Sequence, residues 1–265
     1  MSGQDGLKPP SLPFSAIIGQ DDAKTALLVA AVSPYIKAVL LKGASGTAKT
    51  TLARSVCGID PGKSLINVPQ NVTDEQLFGS IDLDKAMSGG AIELGDSLLQ
   101  RANGNYLYID DCDLLDVHSL TTLMDDVLEG RVRVERDSVS AVYDLRTTVI
   151  ASMHSGKKNF NSHINDCFDI CAVMRRDKSD IEGGMEILRR NLGMSDEQEA
   201  LFNKEDAEIA ERVAKARAIL KDVQVPRVQV RLISKLCQRY GVDGCRGAIA
   251  AAQTARALAA LDGRL

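Results

Sequence analysis

The sequence predicts an α/β fold: a sheet covered by helices on both faces, followed by a smaller all-helical unit. Three observations predict it. Short, continuous apolar runs alternate with helical periodicities through the first two thirds of the chain. The stretch "LLKGASGTAKTT" sets a glycine-rich turn between one such run and a helical pattern. Beyond about residue 175, only helical periodicity remains.

The first dozen residues, rich in Gly and Pro, read as a loose arm, taken as 1–13. "AIIGQDDAKTALLVAAV" then carries a helical period, with Ala23, Ala26, Leu27, Ala30 and Ala31 on one side. "AVLLKG" is a buried strand of the parallel-sheet kind, and "SLINVP", "NYLYIDD" and "LRTTVIASM" are three more. Helical patterns such as "TLARSVCG" and "VHSLTTLMDDVLEG" lie between them. "GRVRVERDSVSAVYDL" alternates and breaks at "RDS", which predicts a hairpin projecting from the core. "DAEIAERVAKARAIL", "VRLISKLCQRY" and "CRGAIAAAQTARALAAL" are helical. The division expected is 14–178 for the α/β part and 179–265 for the helical part.

Bulk properties narrow the function. The 265 residues are 45% hydrophobic and 26% charged, as in an ordinary globular protein. No apolar run reaches membrane-spanning length and no export signal opens the chain, so a cytoplasmic protein without membrane insertion is expected. A net charge of −4 argues against a generally basic, nucleic-acid-binding body. The six cysteines are scattered without C-x-x-C pairs and are expected to be reduced and mostly buried. Cys167, Cys171 and His163 lack an evident fourth ligand for a metal.

The chemistry lies in two stretches. The loop of Gly43, Ala44, Ser45, Gly46, Thr47, Ala48, Lys49, Thr50 and Thr51 follows a strand and opens a helix. That context suits a phosphate cradle built from backbone N–H groups and a helix N-terminus. Lys49 would reach the β- and γ-phosphates of ATP, and the Thr50 hydroxyl would ligate Mg²⁺. Ala48 stands where the pattern has its second glycine, a change that costs nothing if φ there is negative. In "NYLYIDDCDLL", Asp110 ends an apolar strand and would hold the same Mg²⁺. Asp111 takes the place of the group that polarises water, one methylene short of a glutamate; a displacement of about 1 Å is worth roughly a hundredfold in rate.

Together with "FSAIIGQDDAKTALLVAAVSP", "GSIDLDKAM", "LLQRANGNYLYIDDCDLL", "GRVRVERDSVS" and "VDGCRGAIAAAQTARALAALDGR", these stretches resemble the ATPase I subunit of magnesium chelatase, from Phe14 to Arg264. The resemblance implies a P-loop AAA+ three-layer αβα domain with a five-stranded sheet, a β-hairpin insert and a small helical lid. It also implies a ring, commonly of six subunits, with ATP between neighbours, working on a large chelatase subunit beside a second AAA+ subunit. Carried over, Gly19 and Gln20 lie near the adenine, and Arg246 in "DGCRG" is the lid arginine, sensor 2, that touches the γ-phosphate.

Three departures weaken the implied catalysis. Asp111 replaces a glutamate. The sensor asparagine falls on His154, or on Met153 if the match shifts by one. The arginine that a subunit donates to its neighbour falls on Cys167, which carries no fixed cation; such fingers are worth about 10³–10⁵ in rate. Arg175 or Arg176 could stand in. The family also continues beyond "LDGRL" into another lid helix, so either the protein is short or a partner completes the lid. The leading expectation is an AAA+ ATPase subunit powering a metal-chelatase-like complex with weakened hydrolysis. A slow regulatory or scaffold subunit of a mixed ring comes second. A DNA-directed, helicase-type protein comes third; it shares "GTAK", but Arg131, Arg133 and Arg136 read better as a solvated face or a subunit contact.

Overall fold

The computed structural model describes residues 12–79, 96–136, 139–156, 162–175, 180–242 and 244–265, with the side chains of 135–140 and 162–163 left aside. Most of the amino-terminal arm, all but the first residue of "GSIDLDKAM", the Arg136 and His163 side chains and Arg176 lie outside the described residues.

The apolar runs become strands: β1 (Ala38–Gly43), β2 (Leu65–Val68), β3 (Tyr106–Ile109) and β6 (Thr148–His154). They form a parallel sheet with a fifth strand, β7 (Ile170–Met174), in the order β2-β3-β6-β1-β7. β1, β3 and β6 are buried on both faces, which is why they read as unbroken apolar runs. β7 adds a strand to the four that residue patterns identify. It lies at the sheet edge, and Ile170, Cys171 and Val173 keep partial or full exposure, so no continuous apolar run marks it. β4 (Arg131–Arg136) and β5 (Val139–Asp144) pair antiparallel as the separate hairpin.

Helices cover both faces. On one lie α1 (Asp21–Val32) and α2 (Lys49–Ile59). The apolar side of α1 is buried, and Asp21 and Asp22 in its first turn suit the positive helix end. On the other lie α4 (Leu98–Ala102) and α5 (Val117–Glu129), with the short α3 (Asp74–Phe78) and α6 (Ser162–Asp166). Two hydrophobic clusters, one per face, form the core.

The carboxyl-terminal part is helical throughout: α7 (Ile181–Leu192), α8 (Asp196–Ile219), α9 (Arg227–Arg239) and α10 (Arg246–Leu261). Val213, Ala216, Leu220, Ala257 and Leu261 join the same cluster as α1 and α2, so this unit shares the core of the first face. Polar locks fix it there. Arg217 donates to Ala31 O across 2.6 Å and pairs with the buried Asp60, which also accepts from the Tyr106 hydroxyl at 2.6 Å. Burial works to raise the Asp60 carboxyl, yet these partners hold it below the usual range.

The cysteines are all free thiols, but only Cys112 and Cys167 are buried; Cys171 and Cys245 are exposed. The expectation of mostly buried thiols is corrected by their places on an edge strand and at a helix start. Among the described residues, no helix is long and apolar enough to cross a membrane.

Candidate nucleotide site

The loop leaves the carboxyl end of β1 and turns into α2. Gly43 is required by close approach: a Cβ there would lie 2.7 Å from Thr47 Oγ1 and 2.8 Å from Met174 O. Gly46 has φ +75°, a region that side chains rarely adopt. Ala48 has φ 66°, ψ 24°, so the condition that would make alanine cost-free is not met. The left-handed region costs a non-glycine residue about 1–2 kcal/mol. The other described non-glycine residues with positive φ are Gln20 (60°) and Asp111 (46°). All three stand at sequence-predicted site positions, where backbone strain concentrates in folded proteins.

Lys49 is 8% exposed, and its ammonium donates to Gly43 O (3.0 Å) and Ala44 O (2.9 Å). Thr47 Oγ1 donates to Ala44 O at 2.8 Å, closing the turn. Thr50 follows on the first turn of α2, with its hydroxyl 3.4 Å from both oxygens of Asp110. Asp110 is held by two residues that sequence reasoning missed. Ser152 Oγ donates to its Oδ1 at 2.6 Å, and the Tyr108 hydroxyl lies 2.9 Å from the same oxygen and 3.2 Å from Thr50 Oγ1. Burial pushes the Tyr108 phenol far up, so it stays a donor. The signals were present: a serine inside the apolar run "VIASM" and a tyrosine two residues before the aspartate on the same strand face. A hydroxyl beside an anchored carboxylate is an oxygen set suited to Mg²⁺.

Asp111 starts a tight turn and donates its N–H to Ser152 Oγ at 2.9 Å. His154, at the end of β6, meets the loop: the Ser45 N–H lies 3.1 Å from its Nε2. Met153 is 1% exposed and packs in the core cluster of the other face, leaving His154 as the residue that meets the loop.

Gln20 donates to Arg175 O at 2.9 Å, and Gly19 has φ +64°. Beside them a smaller pocket runs from Ile17, Ile18 and Gln20 past Ala48 and Thr51 to Ile187 and Asn191 of α7. The segment leading into it is gripped from the helical unit. Asp206 accepts the N–H groups of Phe14 (2.7 Å) and Ser15 (2.8 Å), and Arg190 donates to Ala16 O at 2.6 Å.

Two further residues singled out by the resemblance make none of these contacts. Cys167 is fully buried. Arg246, exposed at the start of α10, lies near Cys167 and Asp169: burial pushes both groups up, and its guanidinium acts against that shift at each. Asp169 caps the amino ends of the strands, accepting from Lys37 N (2.7 Å) and Ala38 N (3.1 Å). Gly43 is five residues along β1 from Ala38, about 16 Å at strand rise. Among the described residues, no hydrogen bond or ion pair joins Arg246 to the loop of its own chain.

The sheet order, the loop on its carboxyl edge and the helical unit behind it define an AAA domain with its lid. Residues 38–166 match the model of the AAA domain of the dynein-related subfamily, and residues 230–265 that of the AAA lid domain. The chain belongs to the family of magnesium-chelatase I subunits. It is 30% identical to the magnesium-chelatase 38 kDa subunit of Rhodobacter capsulatus, over 96% of this chain and 82% of that one. It is 29% identical to the magnesium-chelatase subunit ChlI homolog of Methanocaldococcus jannaschii, over 95% and 80%. An uncharacterized Mycobacterium tuberculosis protein, Rv2850c, is 34% identical over 95% of this chain, which spans 41% of that relative's length. A chain in the complex between subunits BchI and BchD of magnesium chelatase, based on single-particle cryo-EM, is 31% identical, with a TM-score of 0.56 over 95% of this chain and 89% of that one.

Proposed function

We propose that this chain binds Mg-ATP and serves as a ring subunit of a metal-chelatase-like complex, with slow hydrolysis of its own. The observation that carries the reading is the Thr50 hydroxyl 3.4 Å from an Asp110 carboxylate already anchored by Ser152 and Tyr108, one residue from Lys49. Thr50 and Asp110 would hold Mg²⁺, which bridges and neutralises phosphate charge when bound. Lys49 would exchange its two carbonyl partners for phosphate oxygens. Ile17 and Ile18 would flank the base.

Slow turnover is supported by three residues. Asp111 is short and held in a left-handed conformation. His154 fills the sensor position and occupies the Ser45 amide. Cys167 is buried and uncharged where the family donates an arginine. Arg246 acts electrostatically on Cys167 and Asp169, near the amino edge of the sheet, and in a ring its cation would serve the neighbour's pocket rather than its own.

Assembly is supported by two apolar stripes that are exposed among the described residues. Ile181, Met185, Leu188 and Leu192 of α7 recur at helical spacing and are exposed, as are Val228, Leu232 and Leu236 of α9. The BchI–BchD complex makes a mixed ring with a second AAA+ subunit and a large chelatase subunit the favoured setting. A regulatory subunit of that ring is the second reading, favoured by the buried Cys167. Titration of a fluorescent ATP analogue with Mg²⁺ tests the proposal: saturable binding lost in Lys49→Ala supports it, and binding indifferent to Lys49 overturns it.

A further inference from the structure

One cavity among the described residues is not at the phosphate loop. It lies under the opposite, amino-terminal edge of the sheet, about 950 Å³ in volume, between the sheet edge, the foot of the β4–β5 hairpin and the helical unit. That size is at the upper end of ligand pockets. It is separated from the loop by the length of β1.

Its lining is electrically lopsided. Seven lysine and arginine side chains border it, against one carboxylate, Asp144, in a protein whose net charge is −4. The partners of these cations leave most of the charge unbalanced. Lys37 is held by the helix-end carbonyls of Val127 (3.2 Å) and Leu128 (2.8 Å), and Arg256 by those of Val223 (3.0 Å) and Leu220 (2.9 Å). Carbonyls orient a cation without neutralising it. Lys63 and Arg217 share the single carboxylate of Asp60. Arg131 has Asp144 at 3.6 Å. Arg146 and Lys221 are exposed and have no ion pair among the described residues. Between these charges the exposed Pro34 and Tyr35 supply an apolar wall, with Ala30, Val32 and Leu220 buried behind it.

We propose that this cavity is a second binding site, for an organic polyanion with two or more carboxylate or phosphate groups on an apolar body. Several cations spread around one concave wall match several anionic groups, and a lone inorganic ion would leave the apolar wall uncovered. Lys37 and Arg131 come from the α/β part and Arg217, Lys221 and Arg256 from the helical unit. An occupant therefore bridges the two and ties the lid's position to its presence. This inference is independent of the nucleotide reading.

Benzene-1,3,5-tricarboxylate is a suitable probe, titrated calorimetrically at low salt into the whole protein and into Lys49→Ala. The expected result is saturable binding in both, weakened at least tenfold in Arg146→Glu/Lys221→Glu. Both residues are exposed, and unchanged binding of the ATP analogue shows that the double variant is folded. Hydrogen exchange gives a reading that needs no variant: the probe should protect 217–221 and 146–148. Absence of binding, binding lost in Lys49→Ala but not in the double variant, or no protection in those segments would overturn the proposal. Phosphate as potent as the tricarboxylate would overturn the organic class.

Discussion

Ser152 donates its hydroxyl proton to Asp110 Oδ1 across 2.6 Å, and its oxygen receives the Asp111 N–H at 2.9 Å. One hydroxyl on β6 thereby fixes both acidic residues at the end of β3. Ser152→Ala leaves Asp110 to Tyr108 and Thr50 alone. Partners that orient a ligand for a metal are worth about tenfold or more in affinity. The Mg²⁺ needed for half-maximal nucleotide binding should rise about tenfold, with a stability loss of about 1 kcal/mol. An unchanged Mg²⁺ requirement would show that Ser152 does not position the site.

Ala48→Gly should stabilise the protein. Relief of left-handed strain, about 1–2 kcal/mol, outweighs the extra freedom of glycine in the unfolded chain, about 0.4–1 kcal/mol. The net gain expected is about 0.5–1 kcal/mol, read from thermal or denaturant unfolding. A loss of about 1 kcal/mol, as for a glycine inside an ordinary helix, would contradict the backbone geometry at this position.

Asp111→Glu lengthens the carboxylate at the position proposed to polarise water. Phosphate release per site should increase roughly tenfold to a hundredfold, because placement of a catalytic group is sensitive to about 1 Å. Nucleotide affinity should stay unchanged. A variant no faster than the parent would move the bottleneck to His154 or to the neighbour's cation.

Asp126 links stability to pH. Its Oδ2 is buried without a hydrogen-bond partner among the described residues, and burial, followed by Glu129 and Asp125, pushes its pKa up to about 6; Arg133 acts in the opposite direction. The folded state thus binds a proton more tightly than the unfolded chain. The contribution of Asp126 to stability is greatest below the unfolded value of 3.8 and is lost as pH rises through about 6. Asp126→Asn should stabilise the protein at pH 7.5 by about 1 kcal/mol, discounted for partial exposure, and by little near pH 4. A benefit independent of pH would assign the effect to packing.

Much of this architecture was legible in the sequence, and the reasons differ by element. The central parallel strands announce themselves because burial on both faces demands unbroken apolar runs, as in "AVLLKG". The loop is legible because Gly43 and Gly46 are each demanded by contact or by φ. β7 was not, since an edge strand keeps residues such as Cys171 in solvent. Tyr108 and Ser152 belong to strands whose apolar reading hid their polar ends. The left-handed φ of Ala48 contradicts the residue's own preference, and its one signal in the sequence is that the loop pattern has a glycine at that place. The place of Arg246 depends on how the helical unit docks through Arg217 and Asp60, a tertiary contact 157 residues apart in sequence.

We propose a complete nucleotide cradle with a weakened catalytic apparatus. Its most direct test is steady-state ATP turnover by the purified protein with Mg²⁺, across protein concentrations, beside Lys49→Ala and alongside measured nucleotide binding. The expected result is tight binding lost in Lys49→Ala, with slow turnover that stays slow as concentration and self-assembly increase. Turnover that climbs with concentration to the rate of a full AAA+ motor, and vanishes in Lys49→Ala, would contradict it.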